Sequence, residues 1–87
     1  MKISSIHYHP QFKKSFYRLP KDIQKKTKQK VKLFRENPFH PLLDTHKLHG
    51  KLKEQWSFYI KGQYRILFIF DNNDAIFLDI GPHDIYK

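Results

Sequence analysis

The apolar positions of this chain change period once. Up to Phe34 they recur at helical spacing, and from Trp56 onward they alternate. Phe12, Phe16 and Leu19 stand at i, i+4 and i+7, which makes one apolar stripe of a helix whose first turn can hold Pro10. Pro20 interrupts the pattern and opens a second helix. There Ile23, Thr27, Val31 and Phe34 share a face while Lys21, Lys25, Lys28 and Lys32 project elsewhere. Asn37-Pro38 ends it, because the residue before a proline is pushed out of the helical region. Ahead of both helices, Lys2 to Tyr8 reads as a short strand. Trp56, Phe58 and Ile60 alternate with Ser57, Tyr59 and Lys61 in the next strand, and Gly62 marks a turn. Gln63 to Asp71 makes a further strand, Asn72-Asn73-Asp74 a tight turn, and Ala75 to Ile80 the last strand. The predicted fold class is therefore α+β. An N-terminal strand and a two-helix hairpin pack on a mainly antiparallel sheet, which a C-terminal three-strand meander completes.

Residues 37 to 54 have no clear period and contain Pro38, Pro41, Gly50, three histidines and three lysines. A connection of that length in so small a chain points to function or to short elements that periodicity does not register. Eighty-seven residues with 39% hydrophobic content fit one domain, 1–87, with a single core. No apolar stretch is long enough to span a bilayer, and the N-terminus lacks the apolar segment of a signal peptide. With no cysteine, disulfides and thiolate metal sites are excluded, and a cytoplasmic location is the expectation.

The net charge of +9 is concentrated at one end. Residues 1 to 35 hold 11 Lys/Arg against one acid, Asp22, or +10; residues 36 to 87 hold 6 against 7, or −1. A one-sided cationic surface attracts polyanions, either nucleic acid or an acidic partner protein, while the plain reading of the same lysines is a solvated helix face. Attachment to a membrane is disfavoured, since the basic helices need their apolar faces for the core.

Candidate chemistry gathers at the other end. Gly81-Pro82-His83-Asp84-Ile85-Tyr86 follows a β-prone run that carries a single cation, Arg65, between Tyr64 and Ile66. An imidazole and a phenol at the end of a sheet, with a guanidinium in reach, form a place to handle a phosphate. The plain alternative for Arg65 is an ion pair with Asp79 across the sheet. His46 and His49 taken alone are loop histidines, and their His-x-x-His spacing is a poor metal motif without a carboxylate or cysteine beside it. Trp56 reads as core. Tyr59 and Tyr86 can stack on bases, although aromatic strand residues usually pack.

Four pieces in order, His46-Lys47-Leu48-His49-Gly50-Lys51-Leu52, Trp56-Ser57, Tyr64-Arg65-Ile66-Leu67-Phe68 and Asp79-Ile80-Gly81-Pro82-His83-Asp84-Ile85-Tyr86, resemble the RelE/ParE superfamily of bacterial and archaeal toxins. The resemblance implies the toxin of a type II toxin–antitoxin system, with a cognate antitoxin as partner and no cofactor. RelE-like members are metal-independent ribonucleases that cut mRNA, typically on the ribosome; ParE-like members poison DNA gyrase. It further implies that Arg65 stabilises the transition-state phosphate, that His83 is a general acid or base, that Tyr86 orients or stacks the substrate and that His46 corresponds to a loop histidine that is catalytic in one branch of the family. Two positions depart from the pattern. Tyr59 stands where a strand cation is common, leaving Lys51 or Lys53 to supply that charge, and Pro82 stands where Thr is common.

Cutting RNA without a metal requires deprotonation of the ribose 2′-hydroxyl, stabilisation of charge on phosphorus and protonation of the leaving 5′-oxygen. The chain offers His46, His49 and His83 for the proton transfers, with Arg65 and Lys51 for the charge, and the order of the histidines is open. Lys53 and Tyr59 join them as substrate contacts. The Lys21, Lys25, Lys28 and Lys32 stripe is the expected docking face for ribosomal RNA. The first expectation is thus a ribonuclease toxin. The second is a gyrase-directed toxin without nuclease action, and the third a degenerate member that only binds antitoxin or RNA.

Overall fold

Two prolines shape the helical hairpin of the computed structural model, which describes residues 1–49 and 54–82. Pro10 occupies the first turn of α1 (Pro10–Arg18), where its missing N–H is no loss, and His9 Nδ1 caps the helix by accepting from the Gln11 N–H at 3.0 Å. Leu19, held extended ahead of Pro20, ends α1. α2 (Lys21–Glu36) starts at once with Asp22 in its first turn, and the Gln24 side chain donates back to the Leu19 carbonyl at 2.9 Å.

Five strands follow the order β1-β5-β4-β3-β2. They are β1 (Ile6–Tyr8), β2 (His46–Lys47), β3 (Trp56–Lys61), β4 (Tyr64–Asp71) and β5 (Asp74–Pro82). β1 runs parallel to β5, and every other pairing is antiparallel. The two hairpin turns take a positive φ of 57° at Gly62 and at Asn72, a conformation glycine and asparagine adopt at little cost.

The α+β architecture is as the periodicity predicts, with three corrections at the level of elements. The N-terminal strand is shorter than Lys2 to Tyr8. The Ile3 N–H goes to the Arg35 carbonyl at the end of α2 and the Ser4 N–H to the Asn73 carbonyl, so these residues tie helix and turn together before the ladder begins. The aperiodic stretch after α2 contains a 3-10 turn, Pro41–Leu43, and the two-residue β2, both too short for a period to register. β5 runs beyond Ile80 to Pro82. β1 pairs only with Ala75 to Phe77, which leaves the end of β5 without that neighbour and makes a proline there tolerable.

Alternation places Ile66 and Phe68 of β4 toward the helices together with Phe58 and Ile60 of β3. On β5 the facing residues are Phe77 and Ile80, three apart. A bulge makes this possible: Phe77 opposes Phe68 and Asp79 opposes Leu67, leaving Leu78 unopposed. Phe34 of α2 plugs the centre, fully buried. It stacks on Phe58 with ring centroids 4.7 Å apart and meets Phe68 and Phe77 edge-on at 5.0 and 5.4 Å. Trp56 belongs to a half-buried cluster at the rim, edge-on to Phe39 and Phe70. Between α1 and α2 lies an apolar groove of about 410 Å³, lined by Phe12, Phe16 and Val31 with Tyr8 of β1 and flanked by Tyr17, Lys13 and Lys28.

Candidate functional site

Since Ile66 and Phe68 point into the core, Arg65 emerges on the opposite face of the sheet. Its neighbours in register are Tyr59 on β3 and Gly81 on β5. One step along β3 on that face stands Ser57, fully buried, whose Oγ accepts from Arg65 Nε at 2.9 Å. The loop from the 3-10 turn to β2 closes over the guanidinium. Asp44 takes the left-handed conformation at φ 45° and ψ 48°, which aspartate tolerates better than most residues, and its carbonyl accepts from Nη2 at 2.7 Å. β2 then pairs His46 with Ser57, bringing His46 Nδ1 to 3.2 Å from the same Nη2.

A guanidinium has five N–H donors and no acceptor. Nε and Nη2 are engaged with Ser57, the Asp44 carbonyl and His46, while among the described residues Nη1 meets the Asp44 carboxylate, at 3.5 Å. The Arg65 side chain is 10% exposed and that of Asp44 75%. A 3.5 Å contact to a largely exposed carboxylate adds little, so the shorter inner contacts are what hold the group. His46 Nδ1 has a partner in either protonation state. When bare it accepts from Arg65, and when protonated it donates to the Asp44 carbonyl 3.1 Å away. The arrangement can present fixed positive charge beside a group that gains and loses a proton, the combination that phosphoryl chemistry uses.

The structure thus joins two of the expected residues, Arg65 and His46. The alternative ion pair of Arg65 with Asp79 does not form: Asp79 lies opposite Leu67 and its Oδ1 accepts from the Ile80 N–H. Tyr59, although in register with Arg65, has its hydroxyl taken by the Gly62 N–H at 2.9 Å and its ring under the Lys30 ammonium at 5.4 Å, contacts that brace the β3–β4 turn. His49 is exposed beyond β2. Lys51, Lys53, His83 and Tyr86 lie outside the described residues. Lys21, Lys25, Lys28 and Lys32 form one exposed stripe on α2, in the helix layer, on the side of the sheet that Arg65 does not face. Among the described residues no three His, Asp or Glu side chains converge as metal ligands.

Sequence reading missed Ser57 and Asp44. For Ser57 the hairpin alone gives no signal: the Gly62 turn pairs Lys61 with Tyr64, which by strict alternation sets Ile60 opposite Arg65, and only the irregularity between Tyr59 and Lys61 brings Tyr59 opposite Arg65 and Ser57 onto the same face. Asp44 contributes mainly through its backbone carbonyl, which residue type does not reveal.

Over residues 6–85 the sequence matches the family described as the ParE toxin of the type II toxin–antitoxin system, parDE. No curated protein matches it. Among solved structures the fold is similar to YafQ from E. coli strain BL21(DE3), with 17% identity, a TM-score of 0.78 and coverage of 94% of this chain and 97% of that one. It is also similar to a chain of the RelB–RelE antitoxin–toxin complex from Methanococcus jannaschii, at 20% identity, TM-score 0.72 and coverage of 90% and 91%. A chain of the YoeB–YefM complex from Staphylococcus aureus gives 20%, 0.73, and 95% and 99%. The chain belongs to the ParE toxin family of type II toxin–antitoxin systems.

Proposed function

We propose that this toxin is an endoribonuclease that cleaves mRNA by attack of a ribose 2′-hydroxyl on the adjacent phosphorus and is held silent by a cognate antitoxin. The observation that carries the reading is the convergence of Arg65 and His46, with the guanidinium fixed from below by Ser57 and from the side by Asp44. A donor set already in place when charge develops on the phosphate oxygens needs no reorganisation during reaction. In this scheme the O2′–P bond forms and the P–O5′ bond breaks, giving a cyclic phosphate and a free 5′-hydroxyl. One imidazole takes the 2′ proton and the other gives a proton to O5′. His46 is one of the pair, and His83 is the second by its place in the family pattern, with Tyr86 orienting the substrate. The exposed α2 lysines suit ribosomal RNA. The groove between α1 and α2, apolar with a basic rim, suits an antitoxin segment rich in apolar and acidic residues.

A second reading, a toxin that poisons DNA gyrase without cutting RNA, has its own support. The matching family is ParE, and four of the five Arg65 donors already have partners within the protein, the fourth at 3.5 Å. Induced expression followed by mapping of transcript 5′ ends separates the two. The nuclease reading expects new 5′-hydroxyl ends that persist in EDTA, and losses of about 100-fold or more for Arg65→Ala and His46→Ala. Intact transcripts with stalled replication would establish the gyrase reading instead.

A further inference from the structure

We propose that Asp44 is a displaceable anion, whose carboxylate occupies the outward edge of Arg65 in the free toxin and yields it to an incoming phosphodiester. The inference rests on the reading of Arg65 as a phosphate ligand and adds the residue that sets how tightly phosphate is taken. The four contacts that the guanidinium makes with described residues are unequal. Those of Nε and Nη2, at 2.7 to 3.2 Å, go to a buried hydroxyl, a backbone carbonyl and the His46 imidazole. The fourth, from Nη1, is 3.5 Å long and ends on a carboxylate whose side chain is 75% exposed, whereas Arg65 itself is 10% exposed. Of the partners of the guanidinium among the described residues, the Asp44 carboxylate is thus the one held by a long contact on a largely exposed side chain. The main chain of Asp44 is pinned by its carbonyl bond to Nη2 and by its N–H bond to the Pro41 carbonyl. Its side chain can rotate away while that backbone stays in place. A carboxylate and a phosphate cannot share one N–H edge, because two anions a few ångströms apart repel. Bound phosphate thus requires the carboxylate to leave, and a longer, exposed contact is the one that leaves most readily.

The test uses the purified toxin and an oligoribonucleotide methylated at every 2′-oxygen, which binds without being cut, with affinity read by fluorescence anisotropy at fixed salt. Asp44→Asn keeps the volume, the backbone carbonyl and the tolerance for positive φ, and removes only the charge. It should tighten binding about tenfold, the factor that ~1.4 kcal/mol gives. Glu36→Gln removes the same charge from the exposed end of α2 and should change binding less than about twofold, the gain expected when no specific partner is freed. The Asp44→Asn gain should disappear when Arg65 is Gln, or Lys where the Gln variant does not fold. Unchanged affinity in Asp44→Asn, or an equal gain in Glu36→Gln, overturns the displacement proposal even where the Arg65 variants bind weakly. Arg65 variants that bind as tightly as the wild type overturn the phosphate reading itself, and this proposal with it.

Discussion

Replacing Ser57 by alanine removes a single oxygen atom from beneath Arg65, and the structure sets the size of the effect. Ser57 is fully buried, and its Oγ is the acceptor for Nε at 2.9 Å. A hydrogen bond from a charged donor contributes about 1.5–3 kcal/mol, and here a methyl group at a closed position leaves Nε–H without solvent as a substitute. We expect a loss of about 2 kcal/mol. For a domain of this size each kcal/mol lowers the melting temperature by roughly 4–8 °C, so the Ser57→Ala variant should melt roughly 8–16 °C below the wild type. Circular dichroism on the wild type, Ser57→Ala, Arg65→Met and the double variant gives the coupling directly. If the oxygen acts through the guanidinium, its removal should matter little once Arg65 is methionine, with a coupling of about 1 kcal/mol or more. Toxicity in induced cells should fall with it, about tenfold, because an unanchored guanidinium is misplaced relative to the reacting phosphate. A melting temperature within a degree or two of the wild type, or an equal loss in the Arg65→Met background, would refute the idea that Ser57 holds Arg65.

Three further outcomes follow from other parts of the molecule. Phe34→Ala empties a fully buried site ringed by Phe58, Phe68 and Phe77 and should cost about 3–5 kcal/mol in urea unfolding; a loss under ~1 kcal/mol would mean that α2 is not the core's central plug. Binding to ribosomes or RNA should weaken steeply as salt rises, with Lys25→Ala lowering the slope of log affinity against log salt by roughly one and leaving the cleavage step unchanged; a flat salt response counts against the basic stripe. In the groove, Tyr17→Ala and Lys28→Glu should each weaken capture of the co-encoded antitoxin by about tenfold without shifting the melting temperature, since both side chains are exposed; unaltered antitoxin affinity in both would move the partner elsewhere.

The parts of the fold legible in the sequence are those whose information is local. Phe12, Phe16 and Leu19, or Trp56, Phe58 and Ile60, declare a helix or a strand within a window of a few residues, and both helices and the three-strand meander stand where those patterns put them. What escaped is either too short to have a period, as with the His46–Lys47 strand, or breaks one, as with Leu78. Its bulge turns Phe77 and Ile80 to the same face, which strict alternation forbids.

The candidate site divides along the same line. Arg65 and His46 were identifiable by residue type, a lone strand cation and a loop imidazole, but Arg65 meets its partners across 8, 19 and 21 residues of sequence, at Ser57, His46 and Asp44. Those distances are bridged by register, which the Gly62 turn and the irregularity between Tyr59 and Lys61 set together. Gly62 takes φ 57° with nothing within 4 Å of where a Cβ would lie, so its glycine answers to backbone conformation alone. That turn pairs Lys61 with Tyr64, and the irregularity then shifts the ladder by one so that Tyr59 meets Arg65; without that shift Ser57 would fall on the helix-facing side and leave the buried guanidinium without the hydroxyl beneath it. The chemistry of the site therefore depends on the backbone at residues 59–62 as well as on the residues that meet Arg65.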